Sequence, residues 1–355
     1  MGPPSSPLSQ RTKGALLGLG AAALFGLSAP LSKLLLAQVS PVLLAGLLYS
    51  GAAIGLWLHF LLGPRSAEAP LTRADAGPLS VVVALGGVAG PILMLFGLSR
   101  VSALSCSLLL SLEAPLTVIL ALVFFHEHLG RNGVIAAFLM VTGAAALKLE
   151  AGTLAADTTG VLLLAGAAAC WAIDNNLTQR LSLRDPFAIV RFKTLVAGVT
   201  NTTIGLVVAH GELPPLRFVA GTLVLGSLSY GVSVVLDAYA LRYVGAAREA
   251  AYFAMAPFIG AAASVAVLGE PVHLRDGVAT GLMLAGLSML LRERHLHAHE
   301  HHPLSHEHLH GHDAHHQHEH GPSDPPGSQH SHAHTHVPLT HDHPHLPDAH
   351  HRHEH

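Results

Sequence analysis

Apolar runs, each about as long as a bilayer-crossing helix, recur along the first 292 positions and break at charged or Pro/Gly-rich points. A hydrocarbon core of about 30 Å takes roughly 20 apolar residues in helical form. The pattern predicts ten spans, at 14–36, 41–62, 77–98, 102–125, 132–149, 159–179, 187–209, 218–240, 246–268 and 276–291. The links between them are too short to hold a soluble domain. Gly14/Gly18, Gly51/Gly55, Gly86/Gly90 and Gly277/Gly281 have the spacing that lets helices approach closely in lipid. After Arg294 the pattern stops, and histidine alternates with polar residues to the end of the chain.

Composition sharpens this division. Half of the 355 residues are hydrophobic and only 12% are charged, against about 25% in a soluble domain. Positions 295–355 hold 24 of the 29 histidines, eight acids and only Arg352 as a base, whereas 1–294 carry four more bases than acids. The expected organisation is a cytoplasmic N-terminal segment at 1–13, one helical repeat at 14–149, a second at 159–292, and a His-rich disordered cytoplasmic tail at 293–355. The fold class expected is an all-α membrane protein of ten transmembrane helices, its partners the lipid bilayer and a small-molecule solute. A homodimer is left open.

Several functions drop out. Cys106 and Cys170 lie in apolar stretches and cannot build a disulfide framework or a cysteine zinc module. No basic patch interleaved with aromatics lies outside the spans, so nucleic acid is not an expected partner. No phosphate-binding loop, nucleophile elbow or HExxH motif is present, so no enzyme is expected. With the N-terminus inside, Arg11, Lys13, Arg65, Arg73, Arg131, Arg180, Arg184, Arg242, Arg292 and Arg294 fall on the cytoplasmic side. Lys33, Arg100, Lys148, Arg217 and Arg275 fall opposite. That excess places both termini in the cytoplasm, and the Ala, Leu and Gly content suggests a multi-pass protein of a bacterial inner membrane.

The two halves match each other at an offset of about 143 residues. Phe96-Gly-Leu-Ser-Arg-Val-Ser-Ala103 aligns with Tyr239-Ala-Leu-Arg-Tyr-Val-Gly-Ala246, and Ala114-Pro115-Leu116 with Ala256-Pro257-Phe258. Glu127 pairs with Glu270, Phe25-Gly26 with Trp171-Ala172, and Ser40-Pro41 with Asp185-Pro186. Five helices per repeat is odd, so one half must sit upside down relative to the other. Inverted repeats of this kind underlie alternating access.

Leu112-Glu-Ala-Pro-Leu116 followed by Phe124-Phe-His-Glu-His-Leu-Gly-Arg131 resembles the end of an EamA domain, as does Ala256-Pro-Phe258 followed by Leu268-Gly-Glu-Pro271. The resemblance covers residues 14–292 as two tandem domains and points to the drug/metabolite transporter superfamily. It implies ten helices, inverted five-helix repeats and movement of small metabolites. It also implies an arginine in the second helix of each repeat, five residues after a proline. Arg191 fits after Pro186, but Gly46 stands at that place after Pro41.

A charge at the centre of a span costs about 2.5–3.5 kcal/mol on insertion scales, so it should face the bundle interior or a cavity. Glu113, Asp174, Asn175 and Arg191 are the candidate lining of the transport cavity, with Lys193 and Asp237 behind them. The alternative role for these charges is an internal ion pair that holds the bundle together. Arg248 and Glu249 lie near a helix end and are expected to snorkel. Glu127 and Glu270 are expected to cap the helices that follow them, and His126-Glu-His128 is too short to enclose an ion alone.

In the tail the candidate metal ligands are His295, His297, His299, His301, His306, His308, His310, His312, His330, His332, His334 and His336. Neutral imidazole ligates Zn, Ni, Co and Cu, so labile binding of these ions is expected, with no cofactor required. The leading reading is a secondary-active exporter of a small metabolite with a metal-binding tail. A divalent-metal (Zn/Ni/Co) exporter and a membrane-anchored metal store or sensor are the alternatives.

Overall fold

The computed structural model describes residues 7–63, 69–125, 131–147, 157–181, 184–244, 246–292, 298–301, 305–310, 330–335 and 339–342. Ten helical stretches fall where the apolar runs predict them. They are α1 (7–35, with a turn at Leu27), α2 (Pro41–Leu62), α3 (Arg73–Arg100), α4 (103–125), α5 (Arg131–Ala146), α6 (Thr158–Arg180), α7 (Pro186–Val208), α8 (216–244), α9 (246–268) and α10 (Leu274–Arg292). Seven of these regions meet the length and hydropathy of a membrane span by themselves.

Alanines pack inside together with leucines such as Leu44, Leu98 and Leu108, while many large apolar residues face outward. Ala21, Ala22, Ala45, Ala52, Ala136, Ala167 and Ala279 are buried, while Leu16, Ile54, Phe138, Val199, Val224 and Val267 are exposed. Such an apolar exterior is stable only against lipid.

The packing obeys the two-fold relation that the repeat implies. α2 packs on α7 and α5 on α10, so each of these pairs maps onto itself, and the first half of α4 packs on the second half of α9. α1 on α8 and α3 on α6 exchange with each other. At the α5–α10 contact the match reaches single residues. A Cβ on Gly143 would lie 2.8 Å from Met283 and 3.0 Å from the Ala279 carbonyl. One on Gly286 would lie 2.7 Å from both Met140 and the Ala136 carbonyl. The expected GxxxG contacts form at Gly14/Gly18, Gly51/Gly55 and Gly86/Gly90, but Gly277 and Gly281 face open space.

Regular helix fails at matched places. α3 widens into a π segment at Val82–Ala89 and α8 at Ser227–Val232. Pro91 explains the first, because it cannot donate to the carbonyls one turn back. α4 is interrupted at Ser111–Leu112 and α9 at Ala254–Met255, just before Pro115 and Pro257.

The tail was expected without regular structure. Its described residues instead form four short strands in two antiparallel pairs, Ala298–His301 with Leu339–Asp342 and Ser305–His310 with His330–Thr335. A His every second residue has the period of a strand. The register sets His306 opposite His334, His308 opposite His332, and His310 opposite His330. His299 and His301 lie in the first strand. His295, His297, His312 and His336, like His126-Glu-His128, lie outside the described residues.

Candidate functional site

The interruption in α4 makes Glu113 the first residue of that helix's second segment. A carboxylate there meets the positive end of the segment's dipole, and the Glu113 carbonyl accepts from Thr117 Oγ1 at 2.8 Å. Its side chain faces α6, where Asn175 Nδ2 donates to Glu113 Oε1 at 2.7 Å. One residue back along α6, Asp174 is 4% exposed and is ion-paired with Lys193 of α7. Thr178 Oγ1 donates to the other Asp174 oxygen at 3.2 Å. Glu113 lies within electrostatic reach of both members of that pair. Four of the six residues expected in a cavity are thus brought together from three helices: Glu113, Asp174, Asn175 and Lys193.

The π segment of α3 closes the other side. Gly86 leaves room for Asp174, since a Cβ there would run into the carboxylate. Tyr49 OH (2.9 Å) and Trp171 Nε1 (3.1 Å) donate to the Gly86 carbonyl, and Asn201 Nδ2 (3.0 Å) to that of Gly87. Inside a bilayer each freed carbonyl needs such a donor. These three side chains escape a search for charges. Pro91 is the signal that would have pointed to them. Beside the cluster, Asn176 Nδ2 bonds the carbonyls of Ala172 (2.8 Å) and Thr117 (3.1 Å). Its buried Oδ1 has no partner among the described residues.

Arg191 is engaged elsewhere. It pairs with Asp185 at 3.6 Å, and its guanidinium lies 4.2 Å from the centre of the Phe60 ring. Asp185 also accepts from Phe187 N at 2.9 Å, so Arg191 serves the cap of its own helix. Asp237 meets Glu249 across α8 and α9, the two side chains within hydrogen-bonding reach of each other. Glu249, expected to snorkel, lies beside Asp237 and is partly exposed. His59 packs on Phe187 with ring centroids 5.1 Å apart and lies 3.3 Å from Tyr239 OH.

Glu270 caps a helix, though not the one that follows it. Its two oxygens accept from Ala103 N (2.7 Å) and Leu104 N (2.8 Å), at the start of α4 in the other repeat. The following helix is served by Asp276, which accepts from His273 N at 2.8 Å. Among the described residues no three His, Cys, Asp or Glu side chains converge as metal ligands would.

Inverted five-helix halves, interrupted helices at their contact and charges held inside the bundle define a membrane transporter. The EamA-like transporter family matches residues 12–148 and 158–292, and the chain belongs to it. An uncharacterized transporter of Methanothermobacter thermautotrophicus is 29% identical over 282 residues, covering 75% of this chain and 82% of that protein. A probable terminal-alkyne amino-acid exporter of Streptantibioticus cattleyicolor is 27% identical over 245 residues, covering 67% of this chain and 82% of that protein. One solved crystal structure superposes with a TM-score of 0.58, covering 79% of this chain and 98% of its own, at 18% identity. That likeness is one of fold.

Proposed function

We propose that this chain exports a small metabolite bearing both an amino and a carboxyl group, by alternating access at the contact of its two repeats. The observation that carries the reading is the cluster of Glu113, Asn175, Asp174 and Lys193 beside the interruption in α4. Such a solute needs an acceptor for its ammonium and a cation for its carboxylate. Glu113 and Lys193 supply one of each, with Asp174 able to exchange Lys193 for the incoming group. The similarity to a probable amino-acid exporter supports the same class of cargo. In this reading both termini are cytoplasmic in a bacterial inner membrane, and a proton or solute gradient supplies the drive.

The test is uptake of radiolabelled propargylglycine and the common neutral amino acids into inverted vesicles that contain the full chain. Glu113→Gln and Lys193→Met should each lower uptake about 10- to 100-fold, the worth of a charge-assisted hydrogen bond of about 1.5–3 kcal/mol. Uptake that survives both substitutions would move the solute path elsewhere.

We also propose that the tail binds Zn, Ni, Co or Cu, supported by the register that sets His306, His308 and His310 opposite His334, His332 and His330. Vesicles with the chain truncated after Arg294 separate the readings. Metal movement that needs the tail would make metal the cargo. Equal amino-acid uptake with and without the tail would leave it an accessory. An anchored metal store predicts that Glu113→Gln changes nothing.

A further inference from the structure

The turn that joins α3 to α4, Val101–Ser102, is gripped from three directions. Lys33 near the end of α1 donates to the carbonyls of Leu98 (2.5 Å), in the last turn of α3, and Val101 (2.7 Å), just beyond it. Glu270, from the α9–α10 turn of the opposite repeat, holds the first amides of α4 through Ala103 and Leu104. Arg100 Nη1 reaches Asp157 Oδ2 at 2.7 Å, at the start of α6. Lys33 and Glu270 also lie within electrostatic reach of each other. Both repeats are thereby tied at one membrane face through a single turn.

The two-fold relation provides an internal comparison. The repeat alignment carries Arg100 onto Tyr243, and Lys33 onto Gln179 or its neighbour Thr178, at the opposite face. Arginines stand beside both neutral positions, at Arg242 and Arg180, so charge alone does not separate the two faces. Packing does: the first half of α4 packs on the second half of α9 at this face, whereas the equivalent second half of α4 and first half of α9 make no comparable contact among the described residues. A scaffold contact would serve the two halves alike. An asymmetric one makes the two open states unequal in free energy, and ligands then act on a biased equilibrium.

We propose that Lys33 and Glu270, with the Arg100–Asp157 pair beside them, form a latch that keeps the non-cytoplasmic face closed and sets the resting state open to the cytoplasm. Naming that face rests on the orientation proposed above. Opening to the outside must strip the α4 amides and the α3 carbonyls of these partners, so the latch is released once in each transport cycle.

Cys106 is a built-in reporter. It is fully buried, one turn beyond Ala103, and within electrostatic reach of Lys33 and Glu270. In the full chain carrying Cys170→Ser, the measurement is labelling of Cys106 by a membrane-impermeant maleimide, in right-side-out and in inverted vesicles. Lys33→Met and Glu270→Gln should each raise the rate about tenfold or more from the outer face, with little change from the inner face, while Lys33→Arg stays protected. Unchanged labelling in both variants would overturn the latch. So would equal acceleration from both faces, which is the mark of a loosened scaffold. Acceleration confined to the cytoplasmic face would uphold the latch and overturn the orientation instead. No transported solute is needed, so failure of the cargo reading cannot be mistaken for failure of this one.

Discussion

Asp174 is buried and Lys193 mostly so, and in such a place the carboxylate is tolerable only because the ammonium is there. Removing Lys193 alone leaves a buried carboxylate, so Lys193→Met should lower stability as well as transport. The double variant Lys193→Met/Asp174→Asn should regain thermal stability in detergent but not flux. Recovery of both would assign the pair to structure alone. At the surface the balance differs. The Arg100 hydrogen bond holds the Asp157 carboxyl below the ordinary carboxylate range. A lowered value means that its contribution is complete above about pH 4 and fades as acid protonates it. The pair is exposed, so the contribution is small and salt-sensitive. Arg100→Ala should unfold at slightly lower temperature than the native chain at pH 7, and the difference should vanish in 1 M salt or at low pH.

Charge inside an apolar run was the signal that made Glu113, Asp174 and Lys193 legible in the sequence. The same signal did not tell cavity from cap. Arg191 looks equivalent to Lys193 in one dimension, yet two residues along α7 turn it towards Asp185 and Phe60. Uncharged donors such as Tyr49, Trp171 and Asn201 look like ordinary span residues. Their role appears only once the carbonyls of Gly86 and Gly87 are known to be free.

At the scale of elements, helix positions followed from hydropathy because a bilayer of fixed thickness leaves few choices. The irregularities did not. The prolines 91, 115 and 257 mark where α3, α4 and α9 depart from regular hydrogen bonding, but the π segment in α8 has no proline to announce it. There Tyr230 stacks on Tyr49, with centroids 5.8 Å apart, and meets Phe25 edge-on at 5.6 Å. Packing, not propensity, holds that turn wide. The destination of Glu270 was likewise hidden, because capping across repeats depends on tertiary contact.

For the whole molecule, the internal match announced two inverted halves, and the helix pairs follow it. The α5–α10 contact offers a test at that scale. Gly143→Leu and Gly286→Leu each force a side chain against a facing backbone, and overpacking of this kind costs about 1–3 kcal/mol. Because the two positions are equivalent, the two losses of thermal stability in detergent should be alike. Gly277→Leu, which meets open space, should change little.

The π segments have a mechanical side. Each wide turn stores a surplus residue, like a wrinkle in a carpet, and a wrinkle can travel without the carpet being lifted. When it moves by one position, the residue it passes rotates by about 100° around the helix axis. Gly86 would then turn away from Asp174, and the carboxylate would gain or lose its niche while both ends of the helix stayed in place. Deleting one residue between Val82 and Ala89 should remove the wrinkle. The expected outcome is a folded protein with a sharper thermal transition and no solute flux, and flux that persisted would show that the wide turn stays still.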